Sequence, residues 1–296
     1  MVASNEANKN KAVAANAIKT LTIVGWATTA RGQPLSLRLT RQDPPSVVPV
    51  RARRGEVLAN GPPSRPPSKL PPPTTNELSV TVAEPLGSGR CGNVLAVDTL
   101  RLTDPNDRKV RFLYPQAPHL PELRRWRHEA AMYDEMESLH GISIPRAYGL
   151  FSADIPAGTV VPGVTSSRIS ILLLERQGDL LPLGDKLPEE GDLWDVFRDL
   201  ARLGIEHTDI RYSDILHSPN PEYGLPATPC PYHRCVHTYR VVDFGSAQKT
   251  DLTLKRHFFN TAAFLGPMLE GMKRNVILEP WDIKSNVNTA NRPIAL

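Results

Sequence analysis

The residues with the most chemical potential in this chain lie in His207-Thr208-Asp209-Ile210-Arg211-Tyr212-Ser213-Asp214, ahead of Ile215-Leu216. A second group ends a strand-like run: Val241-Val242-Asp243-Phe244-Gly245. Taken singly, Asp209, Asp214 and Asp243 read as ordinary loop aspartates. Their order, and the elements between them, carry the information. Upstream, Gly87, Gly89, Gly92 and Val94 follow the spacing Gly-x-Gly-x-x-Gly-x-Val. Glycines at such positions let a loop turn tightly and lay bare backbone amides over phosphates. A strand-like run, 93–98, follows this loop, where a dinucleotide fingerprint would have a helix. Cys91 at the loop tip reads as a small filler. A third constellation, Cys230-Pro-Tyr-His233-Arg-Cys235-Val-His237, offers four Cys/His side chains within eight residues. Such a set suits tetrahedral zinc. The paired spacing of zinc fingers is absent, however, and an exposed hairpin tip is the plainer expectation.

Elements able to position these residues can be read from the hydrophobic pattern. Residues 78–83 alternate as a strand, and 110–114 form a third strand after the glycine loop. Residues 122–139 have the composition and period of a helix, with Trp126, Glu129, Tyr133 and Met136 at spacings of three and four, and Gly141 ends it. A carboxylate on that apolar stripe needs a cationic partner, because a lone buried charge is very costly. Two further strands, 144–151 and 168–174, flank a loose loop over 152–167. A second amphipathic helix, 189–203, carries Leu193, Val196, Phe197 and Leu200 on one face and stops at Gly204, just before His207. Residues 252–265 supply one more helix, and 280–296 read as a tail.

Bulk properties bound the rest. The chain has 296 residues, enough for one large or two modest domains, and 40% apolar residues can build a core. Of its 29 prolines, 11 precede residue 80. Together with an Ala/Asn-rich start, they mark residues 1–77 as a largely disordered tail, with a short helix over 12–21, a strand-like 35–40 and extended proline runs. That tail reads as a stiff linker, or as a ligand for a proline-binding module. A net charge of +4 with scattered basic residues does not indicate nucleic-acid binding. The 3 cysteines make no disulfide framework. No apolar run approaches the ~18 residues of a membrane span. With no signal-peptide core either, the expected location is intracellular, in cytoplasm or nucleus.

A His-x-Asp loop with a further polar residue five positions after the aspartate, followed by hydrophobic-Asp-Phe-Gly, is the signature of protein-kinase catalytic machinery. On these motifs, in order with the glycine loop and Glu129, residues 78–265 resemble the protein-kinase-like superfamily. The loop looks most like that of small kinase-like proteins common in fungi, and also like the aminoglycoside-phosphotransferase branch. The resemblance implies an α+β, two-lobed kinase-like fold with an antiparallel-sheet N-lobe (78–178) and a reduced helical C-lobe (179–275, insertion 218–238), then a tail (276–296). It implies ATP and Mg2+ as cofactors, with a protein or small-molecule hydroxyl as acceptor. Asp209 takes the catalytic-base position, and Arg211 would neutralise the migrating phosphoryl group. Asp214 and Asp243 would hold magnesium. Arg111 aligns with the strand lysine that pairs with Glu129, Lys109 being the nearest lysine. Leu174 takes the gatekeeper position, and the backbone of Glu175 to Gln177 would meet the adenine edge. Two positions depart from the pattern: Arg111 stands for lysine, and Asp214 for asparagine. After Gly245 only a minimal C-lobe remains. The implied functions are an ATP/Mg-dependent phosphotransferase, a pseudokinase serving as nucleotide-binding or interaction scaffold, or a small-molecule kinase of aminoglycoside or choline type.

Overall fold

The computed structural model describes residues 18–52, 55–70, 72–73, 76–89, 92–103, 115–118, 123–218 and 227–282, with side chains between 83 and 126 described only at Leu95. The expected strand 110–114, with Arg111 and Lys109, and the loop-tip Cys91 lie outside the described residues.

Alternating apolar residues build the upper lobe. Its strands are β1 (Ile18–Thr29), β2 (Pro34–Gln42), β3 (Asn76–Gly89), β4 (Gly92–Thr103), β5 (Pro115–Pro118), β6 (Ala147–Asp154), β7 (Thr159–Val160) and β8 (Arg168–Glu175). Seven of them close into a barrel in the order β1-β2-β6-β8-β5-β4-β3-β1, and β7 hangs on the end of β1. All of the barrel's pairings are antiparallel except β1 with β3. Period-two burial divides the strands' side chains. Phe151, Ile169, Ile171 and Leu173 join Leu21, Ile23 and Leu39 in one core, whereas Leu150 and Leu172 join the core of the lower lobe.

This overturns the expectation that residues 1–77 form a tail. Residues 18–42 supply two central strands, and Ile18, Leu21, Ile23, Ala27 and Leu39 are buried. The helix expected over 12–21 is a strand from Ile18 onward. A hairpin turn separates β1 from β2, and the closing pairing of β1 is with β3, residue Leu21 against Leu78. Proline content misleads here because the prolines flank the two strands and fill the following segment, where few backbone donors are needed.

That following segment is a strap. Val50 N–H donates to Lys249 O (2.7 Å), Leu58 N–H to Asp251 O (2.7 Å), and Thr253 N–H to Glu56 O (3.0 Å). Arg65 pairs with Asp134 and Glu137, and Lys69 N–H donates to Glu137 (2.8 Å). Proline Pro63 lies so close to Gly204 that a Cβ there would meet its ring at 2.8 Å and Thr250 O at 2.7 Å, and Gly204 also has φ +71°. Only glycine serves at that position.

The lower lobe is built on three helices among the described residues: α1 (Leu123–Glu135), α2 (Glu190–Arg202) and α3 (Leu254–Lys273). Their apolar faces meet around Tyr133, Met136, Val196, Leu200, Leu265 and Met268. Short strands β9 (Ile205–Glu206), β10 (Ile215–His217), β11 (Tyr239–Val241) and β12 (Gln248–Lys249) pair as β9 with β12 and β10 with β11. Among the described residues, no helix is long and apolar enough to cross a membrane.

Candidate active site

Helix α2 ends at Arg202, the chain turns at Gly204, and it enters β9 and then the loop His207–Arg211. Alternation does the sorting. Ile210 and Tyr212 are buried, and Tyr212 Oη donates to Leu181 O at 2.5 Å. Asp209 and Arg211 face the open side with side chains 26% and 20% exposed, Arg211 Nη2 lying 2.7 Å from Asp209 Oδ2. The guanidinium therefore orients the carboxylate assigned as base.

A 3-10 turn, Tyr212–Asp214, then folds Asp214 back under the loop. Its carboxylate accepts from Arg211 N–H (3.0 Å) and Ser213 Oγ (3.2 Å), and its N–H donates to Arg211 O (3.1 Å). Pairing of Ile215 with Val241 in β10–β11, and a bond from Val242 N–H to Asp214 O (2.9 Å), bring Asp243 to the same place. Buried Asp214 is pushed well above the usual carboxylate range, first by desolvation and next by the charge of Asp243, with Asp209 and Glu279 adding to it.

Phe244 holds this arrangement to α1. It is fully buried, with its ring edge-on to Tyr133 (5.2 Å, 89°) and tilted against His207 (5.3 Å). Asp243 itself has φ 58° and ψ 65°, an uncommon conformation for a non-glycine residue, and accepts from Gly245 N–H at 3.4 Å. The ring of His207 bonds Val242 O at 3.1 Å, and Thr208 Oγ1 donates to Ser246 O at 2.6 Å. Helix α1 is tied to the segment after Gly245 by His128 Nε2 to Ala247 O (2.8 Å) and by a buried Lys249–Glu135 ion pair. The sequence gives little sign of these ties, because each depends on a tertiary approach.

One polar atom bears on cation binding. Tyr133 Oη is buried without a hydrogen-bond partner among the described residues. Burial raises its pKa well above the ordinary tyrosine value, helped by the charges of Glu129, Asp243 and Asp214. Asp214 and Asp243 carry hard carboxylate oxygens of the kind that divalent cations take as ligands.

The other assigned residues are placed as follows. Gly87 pairs with Val94, and Gly89 with Gly92, at the end of the β3–β4 ladder. Val94 also pairs with Pro118 of β5. Glu129 is buried on α1 at 5% exposure, as its stripe position predicts, whereas Arg111 lies outside the described residues. The hinge differs from expectation. Glu175 N–H is spent on Arg146 O (2.8 Å), its carboxylate pairs with the Arg146 guanidinium, and its carbonyl accepts from Gln177 Nε2 (3.0 Å). With its N–H and carboxylate so engaged, Glu175 acts as a brace at the end of β8.

Trp281 was missed by sequence reading. Residues 276–282 return to the loop 207–211, where the Trp281 ring lies under the Arg211 guanidinium at 5.1 Å. Burial also distinguishes the cysteines of the 227–238 turn. Cys230 and His237 are buried and Cys235 is exposed, so the expected exposed hairpin tip is only partly one.

No family model matches this chain, and no curated protein does. Solved structures do: the crystal structure of a kinase domain matches at 15% identity and a TM-score of 0.38, over 57% of this chain and 51% of that one. The chain thus spans about half the length of that kinase domain. The architecture is mixed α+β and two-lobed, with a curled antiparallel-rich sheet and few helices among the described residues.

Proposed function

We propose that the chain is an ATP- and Mg2+-dependent phosphotransferase acting on a hydroxyl acceptor. The observation that supports it most is the placement of Asp209–Arg211, Asp214 and Asp243 at one site by the β10–β11 pairing and the Phe244 peg. Phosphoryl transfer asks mainly for positioning and charge stabilisation. Asp209, held by Arg211, would accept the proton of the acceptor hydroxyl as its oxygen bonds the γ-phosphorus. The bond from that phosphorus to the bridging oxygen would break, and ADP would carry the electron pair away. A divalent cation held by Asp214 and Asp243 would offset phosphate charge when bound. Glycines 87, 89 and 92 would leave backbone amides free to face the phosphates.

A second reading, a pseudokinase scaffold, is favoured by the Trp281 contact, which sequesters Arg211 on an aromatic face. Melting temperature against Mg-ATP tests the site. The wild type should be stabilised by ~2.7 kcal/mol at a hundredfold excess over the dissociation constant, and Asp243→Asn should lose the shift. No shift at millimolar nucleotide would overturn the proposal. A shift without phosphate transfer, in both the wild type and Trp281→Ala, would establish the scaffold reading instead.

A further inference from the structure

Helix α2 presents Asp192, Asp195 and Asp199 at spacings of three and four, on the side facing the turn 227–237. Asp199 is fully buried within an apolar stripe, where a carboxylate must be compensated. Around it lie Cys230, His233 and His237. One ligand atom from each of the four residues falls within 4.8 Å of all the others. Cys230 Sγ is 3.1 Å from Asp199 Oδ2 and 3.5 Å from His233 Nδ1. His233 Nδ1 is 3.4 Å from Asp199 Oδ1, and His237 Nε2 is 3.0 Å from Asp199 Oδ2. Ligand atoms at zinc's usual bond lengths, ~2.0 Å for N or O and ~2.3 Å for S, stand ~3.3–3.5 Å apart on a tetrahedron.

Two further features belong to a metal centre more than to a chance polar cluster. A carboxylate stands by each outward nitrogen: Asp192 bonds His237 Nδ1 at 2.5 Å, and Asp195 lies 3.5 Å from His233 Nε2 without forming a hydrogen bond. Such partners fix ring orientation and raise ligand basicity at zinc. Asp199 Oδ1 is buried with no hydrogen-bond partner among the described residues, while Oδ2 accepts from Ser143 Oγ at 2.7 Å. An oxygen so placed is costly without a cation.

From this geometry we infer that Asp199, Cys230, His233 and His237 form a structural zinc site. Four protein ligands complete the tetrahedron and leave no position for water or substrate, so the metal holds the fold and performs no chemistry. It ties the 227–237 turn to α2 and steadies β11, the strand that delivers Asp243. The inference holds whether or not the chain transfers phosphate.

The test is metal analysis of the purified full chain, followed by chelation and titration with Co2+. About one zinc per chain is expected. Cobalt should give a thiolate-to-metal charge-transfer band and intense visible bands of tetrahedral geometry, both erased by added zinc. A Cys91→Ser/Cys235→Ser chain, whose one thiol is Cys230, should keep the band, and Cys230→Ser should lose it. Asp192→Asn should keep the spectrum but bind zinc ~10–100-fold more weakly. The inference is overturned if the wild type holds no zinc and cobalt gives no thiolate band, which would leave a metal-free Asp–His–Cys hydrogen-bond network. It is equally overturned if the band survives in Cys230→Ser and vanishes with Cys235. Should Cys230→Ser fail to fold, the double-serine chain alone decides the assignment.

Discussion

Buried charge is the theme that joins the residues named above. The Arg146–Glu175 pair, with side chains only 10% and 5% exposed, stands where β8 ends. A buried pair adds little net stability over apolar packing, but breaking one half leaves an uncompensated ion. Glu175→Ala should therefore cost ~3–5 kcal/mol in urea unfolding. An Arg146→Met/Glu175→Leu double variant should recover most of that loss. Equal costs in the single and double variants would show that packing, not charge, holds the hinge. The same logic, applied to Glu129 from sequence, applies to Asp199. Flanked by Val196 and Leu200 on the apolar face of α2, it demanded partners, and Cys230, His233 and His237 of the 227–237 turn lie against it, with Ser143 beside them.

At the scale of elements, β1 and β2 decide whether the upper lobe exists. Each buries several large aliphatic side chains, worth ~1.5–3 kcal/mol apiece. Five such residues (Ile18, Leu21, Ile23, Leu37 and Leu39) sum to about 10 kcal/mol, comparable to the ~5–15 kcal/mol stability of a whole domain. A chain beginning at residue 76 keeps Asp209, Arg211, Asp214 and Asp243 but loses both strands that close the barrel. It should bind a hydrophobic dye and lose its near-ultraviolet circular dichroism. A native-like spectrum from that truncation would show the barrel closure to be dispensable. The strap 43–70 makes a milder case. Its ion pair from Arg65 to Asp134 is partly exposed, so Arg65→Ala should cost no more than ~1 kcal/mol in the same unfolding assay.

The molecule as a whole carries two cores bridged by the hinge and the strap, and its response to acid follows from which groups those cores enclose. His140 and His257 are both held down to about 4 by desolvation. In the unfolded chain they would take up a proton near pH 6.5. Between pH 6.5 and 4 the unfolded state therefore binds more protons, and stability falls as pH falls. The loss is on the order of 1–3 kcal/mol for each histidine. Asp214 acts in the opposite sense, because protonation relieves a buried acid whose pKa is raised. Comparing wild type with a His140→Gln/His257→Gln chain by urea unfolding at pH 7 and pH 4.5 isolates the histidines. A shallower pH slope is expected in the double variant, and an unchanged slope would refute the assignment.

How much of this was legible before the fold divides along one physical line. Period-two and period-3.6 patterns located β3, β4, β6, β8 and α1 to α3, because local burial imposes those periods on a sequence, but they ended β3, β4 and α3 five to eight residues early. Motif order singled out Asp209, Arg211, Asp214 and Asp243, and the β10–β11 pairing brings them together. Nothing local announces that Leu21 will pair with Leu78 or that Val50 will meet Thr250. Nor does anything local announce that Trp281 will return to Arg211, or that Asp199 will complete the set begun by Cys230. Those contacts join residues far apart in the chain. Their energies arise from removing surface and charge from water together, and only the tertiary structure decides which surfaces meet.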